Sequence, residues 1–315
     1  MHTPNHLLSP EVSLLGGAVA LTLLGVAISK VSRDPSTRAK VPLAITLGAF
    51  VFALQMLNFA IGDVGCSGHL IGGILLAALL GKWLGFVTLS GVLLLQALLF
   101  ADGGIMTLGW NILNMSALGC LVAYPLVFMP IIRRGTSAFR LFVAGSLSSI
   151  LAVELGALGI VAESAASGSA LPTWEFMGFM LPVHLIIGAI EGVITGVILA
   201  LVGTHQPAMV DGFAPRSQSL RVKPQGVIAG FALSALLLGG VFSLMASERP
   251  DGLEWSISRS LDGSQMVASH PMHTSATRLQ ESMAVAPDYE GDYTGLLTTA
   301  GILLLAWVGR KRIEN

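Results

Sequence analysis

Gly65-Cys66-Ser67-Gly68-His69-Leu70, running into the apolar stretch Ile71-Gly72-Gly73-Ile74-Leu75-Leu76-Ala77-Ala78-Leu79-Leu80, decides how this chain is read. The apolar part, 69–81, is too short to cross a bilayer, which takes about 20 helical residues. Gly62, Gly65 and Gly68 come just before it, and glycine lets a backbone take positive φ and curl inward. Irregular backbone at membrane depth is tolerated only where protein or a cavity satisfies its polar groups. The pattern predicts a re-entrant loop that begins below the surface and presents one imidazole, His69, at a mouth.

Outward from that loop the chain is apolar almost throughout. Of its 315 residues 53% are hydrophobic and only 11% charged, where a soluble domain carries about 25% charged residues. The mean hydropathy is +0.77. Further apolar spans are read at 12–29, 41–60, 83–101, 105–131, 138–162, 178–202, 226–246 and 294–309. The expected fold is an all-α polytopic membrane helix bundle of about nine membrane segments, in a multi-pass protein of the bacterial or archaeal plasma membrane.

The charges orient it. Lys30, Arg33, Arg38 and Lys40 follow the first span, Lys82 the third, and Arg133, Arg134 and Arg140 the fifth. Arg216, Arg221 and Lys223 follow the seventh, and Arg310, Lys311 and Arg312 the ninth. All fall on one side if the N-terminus is outside, with only Arg249, Arg259 and Arg278 on the other. Asp63, Asp102, Glu163, Glu175 and many acids of 248–292 then lie outside, on the same face as Met1, His2 and the His69 loop.

Two parts are visible: a Gly-rich bundle over 1–203, and a C-terminal two-span module over 226–315 around an external loop, 247–293. A basic cytoplasmic linker, 204–225, joins them. No internal repeat is evident. Cys66 and Cys120 are far apart and show no Cys-x-x-Cys pattern, so neither a thiolate site nor a disulfide framework is indicated. Residues 1–11 contain no Lys or Arg, so the start does not read as a cleavable leader.

That start carries chemistry. A retained Met1 offers its amine, and His2 its amide nitrogen and imidazole, so that two fused chelate rings close on one metal. One in-plane position remains, and His69 is the candidate to fill it. Four nitrogens in a plane suit Ni(II) or Cu(II) far better than Zn(II), which prefers a tetrahedron. Ser67 and Asn58 are the neighbours expected to orient His69.

Other polar residues each have a structural reading beside a functional one. His184 and Glu191, one helix face apart by seven residues, and Glu154 could line a path or form an interhelical pair. His6, His270 and His273 could collect metal or simply lie in a solvated loop. Asn111 and Asn114, near the Asp102-Gly103-Gly104 turn, read as structural, and most glycines read as close helix packing. The chain has no G-x-x-x-x-G-K-[ST] loop, no His-Glu-x-x-His and no nucleophile elbow, so neither ATP hydrolysis nor another enzymatic activity is expected of it. No nucleic-acid partner is expected.

Met1-His2-Thr3-Pro4 with Leu8-Ser9-Pro10, then Phe50-Val51-Phe52-Ala53-Leu54-Gln55-Met56-Leu57-Asn58-Phe59, Ser67-Gly68-His69-Leu70 and Gln96-Ala97-Leu98-Leu99-Phe100-Ala101-Asp102-Gly103-Gly104, resemble the CbiM/NikM family. These are substrate-binding membrane subunits of energy-coupling factor (ECF) cobalt and nickel ABC importers. The resemblance covers roughly 1–205, while the tail with Pro250-Asp251-Gly252-Leu253-Glu254 is similar to the small CbiN/NikN-type subunit, here in one chain. It implies a substrate Ni(II) or Co(II) held by Met1, His2 and His69, and as partners a transmembrane coupling subunit and cytosolic ATPase subunits. Two departures are local: Asn5-His6 stands where the family has Asp-Gly, and Cys66 where it has Thr. Cys66 then either adds a soft ligand or packs.

Nickel is the expected first substrate and cobalt the second. The alternative is a stand-alone secondary divalent-metal permease, which would need an internal repeat and a midplane ion site. A membrane enzyme would need an open metal position.

Overall fold

Ser9 and Pro10 open the first helix. The Ser9 hydroxyl accepts the Val12 amide at 3.3 Å, and Pro10 occupies a position whose N–H has no helical partner anyway. The helix α1 (Pro10–Arg33) ends on Lys30 and Arg33, cations at the negative end of its dipole. Leu14, Leu15 and Leu21 along it are exposed, a face for lipid rather than for the core.

In this computed structural model the described residues are 1–135, 137–212, 224–263, 270–289 and 294–314. After α1 come α2 (Val41–Met56), a two-strand hairpin of β1 (Phe59–Ala60) and β2 (Ser67–Gly68), α3 (Gly73–Leu80) and α4 (Lys82–Leu99). Then follow α5 (Leu108–Arg133), α6 (Ala138–Ala166), α7 (Thr173–His205), α8 (Pro224–Gly240), α9 (Gly252–Ser260), α10 (Pro271–Met283) and α11 (Thr294–Glu314). Most of α5, Ile112–Phe128, is wound as a π-helix around Pro125.

The protein is a mostly helical, multi-pass membrane protein. Among the described residues five helices, α1, α4, α5, α6 and α7, are long and apolar enough to cross a membrane. Shorter apolar runs occupy Val41–Met56, Gln225–Gly240 and Thr294–Val308. The segment read as 69–81 is helical only over Gly73–Leu80, and all eight of those residues are buried. Gly72 (φ 81°) turns the chain into this helix and Gly81 (φ 86°) turns it out, so its length is set by two positions that only glycine occupies without strain.

One expectation is corrected. The stretch 247–293, expected as an external loop, is not merely a loop: it contains α9 and α10. Asp251 and Glu254 form a capping box at the start of α9, satisfying the helix's free N–H groups from both sides. The Gly-rich loop before His69 is held as a paired structure by the hairpin β1–β2. Most of the expected linker, 213–223 with Arg216, Arg221 and Lys223, lies outside the described residues.

Small residues set the packing. A Cβ on Gly192 of α7 would come within 2.7 Å of the Ser146 carbonyl on α6, and one on Gly196 within 2.6 Å of the Phe142 carbonyl. The two longest helices therefore meet backbone to backbone, as glycine seams allow in membranes. The C-terminal pair α8 and α11 docks on α2, with the Phe50 and Phe231 rings 5.1 Å apart and edge to face. At the opposite end from Met1, the Asp211 amide bonds the Ala78 carbonyl at 2.8 Å and Tyr124 donates to the Asp211 carboxylate at 2.8 Å. The α3–α4 turn, the foot of α5 and the chain leaving α7 are joined there.

Candidate metal centre

Residues 1–9 run into the bundle instead of away from it. Met1, Leu7 and Leu8 are buried, as are the polar Thr3 and Asn5. Polar groups taken from water need partners. Thr3 donates its amide to Asn111 Oδ1 at 2.8 Å and accepts Gly104 N–H at 2.8 Å. Asn5 Oδ1 accepts the Met106 amide at 2.9 Å. Asn111, read from sequence as structural, is a clamp on the N-terminus.

That path brings three sequence candidates together. The Met1 amine lies 3.1 Å from His69 Nε2. The His2 ring stacks on the His69 ring with centroids 5.1 Å apart and planes 12° from parallel. His2 Nδ1 bonds Asp102 Oδ1 at 3.0 Å, and Asp102 also accepts the Tyr289 hydroxyl at 2.6 Å. The Met1 ammonium in turn is ion-paired with Asp251, from the start of α9. The nitrogen groups of the expected chelate thus meet each other and two aspartates.

Both aspartates are charged. Burial alone would raise the Asp251 carboxyl, but the Met1 ammonium and His69 beside it more than offset that and hold it well below the ordinary carboxylate range. Burial likewise opposes charge on Asp102, and His2 with the Tyr289 hydroxyl hold it well below as well. Among the described residues no three His, Cys, Asp or Glu are grouped as a metal cage. The donor set here differs in kind, since two of its nitrogens, the amine and the His2 amide, belong to the main chain.

His69 is placed from beneath. Glu191 accepts the Ile71 amide at 2.7 Å and the Gly72 amide at 3.0 Å, anchoring the turn that follows His69 to α7. Gly68 lies against Ile187, which a Cβ there would meet at 2.6 Å. The orienting partner is the Leu70 carbonyl, 3.3 Å from His69 Nδ1. Ser67 and Asn58 do other work: the Ser67 hydroxyl bonds the Arg249 carbonyl at 2.8 Å, and the Asn58 carbonyl accepts Ser247 N–H at 2.8 Å. Both hold the C-terminal module rather than the imidazole. Cys66 is buried in the apolar core.

His184 and Glu191 do not pair. His184 Nδ1 bonds the Met180 carbonyl at 2.8 Å, while its Nε2 is buried without a partner among the described residues, beside a cavity of about 10 Å³ that Met1 and His69 also line. The histidines of α10 serve the chain itself. His273 Nε2 bonds the Leu8 carbonyl at 3.0 Å, and His270 Nδ1 accepts the Met272 amide at 3.2 Å as the N-cap of α10.

Sequence reading missed Asp251 and Gln280. Gln280 donates to the carbonyls of Ala97 at 2.8 Å and Gly103 at 2.6 Å, and accepts from Asn5 at 2.9 Å and from the Ile105 amide at 3.2 Å. The spacing Asp251-x-x-Glu254 was a legible helix start, but nothing in it pointed to Met1. Gln280 sits in an amphipathic segment with no local signal.

Two family models match. One, described as the cobalt uptake substrate-specific transmembrane region, CbiM, matches residues 2–209. The other, the PDGLE domain, matches residues 225–308. The fused nickel transport protein NikMN of Rhodobacter capsulatus is 30% identical over 229 residues, covering 69% of this chain and 65% of that protein. The cobalt transport protein CbiM of Sorangium cellulosum is 29% identical over 213 residues, covering 66% of this chain and 91% of its own length. A crystal structure of a transition metal transporter superposes with a TM-score of 0.51 at 28% identity, over 64% of this chain and 92% of that one.

Proposed function

This chain belongs to the CbiM family of cobalt uptake substrate-specific transmembrane regions, with a PDGLE domain joined to it, and from that premise we propose that it is the substrate-capturing membrane subunit of an ECF-type ABC importer. Its substrate is Ni(II), with Co(II) second. The Met1 amine, the His2 amide nitrogen, His2 Nδ1 and His69 Nε2 take the ion at the outer face. ATP hydrolysis on cytosolic subunits, relayed by a transmembrane coupling subunit, drives its release inward. The N-terminus-outside orientation with about nine membrane segments, and the division into a 1–203 bundle, a 204–225 linker and a 226–315 module, belong to the same reading.

One observation carries it: the Met1 amine lies 3.1 Å from His69 Nε2 while the His2 ring stacks on the same imidazole. Charge supports it. Closing the chelate removes one proton from the ammonium and one from the His2 amide, so with neutral imidazoles two protons leave as one divalent cation arrives. The net charge of the group, aspartates included, is then one negative charge both before and after, so the arriving ion adds no net charge to the buried site. Displacing an amide proton favours a metal that gains from a strong square-planar field, as Ni(II) does. Copper would bind at least as tightly, so discrimination against it comes from availability or from later steps.

The test is Ni(II) titration of the purified chain with a native, untagged N-terminus. A stoichiometric, diamagnetic yellow species is expected. A paramagnetic six-coordinate spectrum, or binding that survives acetylation of the amine, would remove the N-terminal chelate from consideration.

A further inference from the structure

A cavity of about 340 Å³ opens beside the Met1–His2–His69 group, between the N-terminal segment and the helices α9 and α10. At about 30 Å³ per water it holds on the order of ten, room for a divalent ion with its hydration shell. Asp102, Asp251, Glu254 and Glu281 line it together with His2 and His6, and among the described residues no lysine or arginine does. Glu254 and Glu281 are exposed and form its rim, while His2 and the two aspartates form its floor.

A second observation points at a ligand. His2 Nε2 in this wall is buried and has no hydrogen-bond partner among the described residues, although the other ring nitrogen is held by Asp102. The rim carboxylates also lack cationic partners in the cavity wall. Glu254 accepts the Asp251 amide at 3.2 Å, and the charges of Asp251 and Asp102 both bear on it. Four carboxylates set against the single Met1 ammonium leave an excess of like charge, which makes a region of strong negative potential.

We propose that this cavity is the vestibule through which a hydrated divalent cation reaches the chelate, and that the C-terminal module serves capture by supplying three of its four carboxylates. A cleft lined by one sign of charge concentrates the opposite ion and speeds its association about 10- to 1,000-fold, an effect that fades with salt. The inference rests on the metal-capture reading above. Asp102 and Asp251 are already committed to His2 and Met1, so Glu254 and Glu281 carry the steering.

The experiment is stopped-flow association of Ni(II) sulfate with the full chain, read by competition with a colorimetric chelator, from about 20 mM to about 500 mM salt, a range over which screening becomes strong. In Glu254→Gln/Glu281→Gln, where the glutamine amide at the first of these positions keeps the capping box, the association rate at low salt falls about three- to tenfold. Its salt slope flattens, and the dissociation rate stays within about twofold. Glu281→Lys alone, on an exposed side chain, slows association further than Glu281→Gln. Equal rates and slopes in all variants would overturn the vestibule while leaving the chelate intact. Absence of Ni(II) binding by the unaltered chain would instead overturn the capture reading itself.

Discussion

Two histidine pairs lie on the same face of this protein, and they are built for different work. His270 and His273 have ring centroids 5.9 Å apart at 61°, and each spends a ring nitrogen on backbone. One caps α10 and the other pins the Leu8 carbonyl. His2 and His69 are stacked and buried, and the third group in reach is the terminal amine. The first pair is closer in sequence and includes an exposed member, His270, which is what a scan for metal ligands would favour. What separates the pairs is the company each keeps: carbonyl and amide groups of helices for one, a free amine and two carboxylates for the other.

The comparison breaks most sharply at residue one. An alanine inserted between Met1 and His2, or acetylation of the amine, abolishes tight Ni(II) binding by calorimetry, with helical circular dichroism unchanged. His69→Ala follows, lowering Ni(II) affinity by about a hundredfold or more, because one in-plane donor is lost and about 1.4 kcal/mol is a factor of ten. If His273→Ala lowered it as much without loosening residues 1–9 to proteolysis, the distinction drawn between the pairs would be wrong. Asp102→Asn comes next. It removes the carboxylate that holds His2 Nδ1 before the ion arrives, and with it a negative charge close to the bound ion, so affinity drops about 10- to 100-fold on electrostatic grounds.

Acid sharpens the contrast. Asp102 and Asp251 have carboxyl pKa values depressed below 3.8, so their contribution to stability is complete above that value and is lost as pH falls through the lower, folded-state one. The thermal midpoint is therefore expected to hold between about pH 7 and about pH 5, while Ni(II) affinity, which requires deprotonated nitrogens, already weakens across that range. Coincident loss of both would contradict the assignment. The smallest effect belongs to His270→Ala: no change in Ni(II) affinity, and less than about 1 kcal/mol of stability by thermal unfolding, the usual size of a helix cap.

Much of this was legible in the chain because it is local. The apolar runs marked out α1, α4, α5, α6 and α7, while the short span read as 69–81 overran the helix Gly73–Leu80, because Gly72 reads as packing and is instead its positive-φ start. Gly62 and Gly65 do take positive φ, at 45° and 88°, as their place in a curled loop required. Gly68 matters for another reason, the close approach of Ile187. What stayed hidden is long-range. Asp251 meets an amine 250 residues away, and Glu191 holds amides about 120 away. No periodicity encodes such pairings. His184 and Glu191 share a helix face as expected, yet their partners lie on the loop and their own helix rather than on each other.

Gln280 bonds Asn5, and Asp251 bonds Met1, so residues 1–5 are fixed by residues synthesised some 250 positions later. At about 5–20 residues per second of synthesis, Met1 waits some tens of seconds before α9 and α10 emerge. Until then the amine lacks the carboxylate that pairs with it in the finished fold.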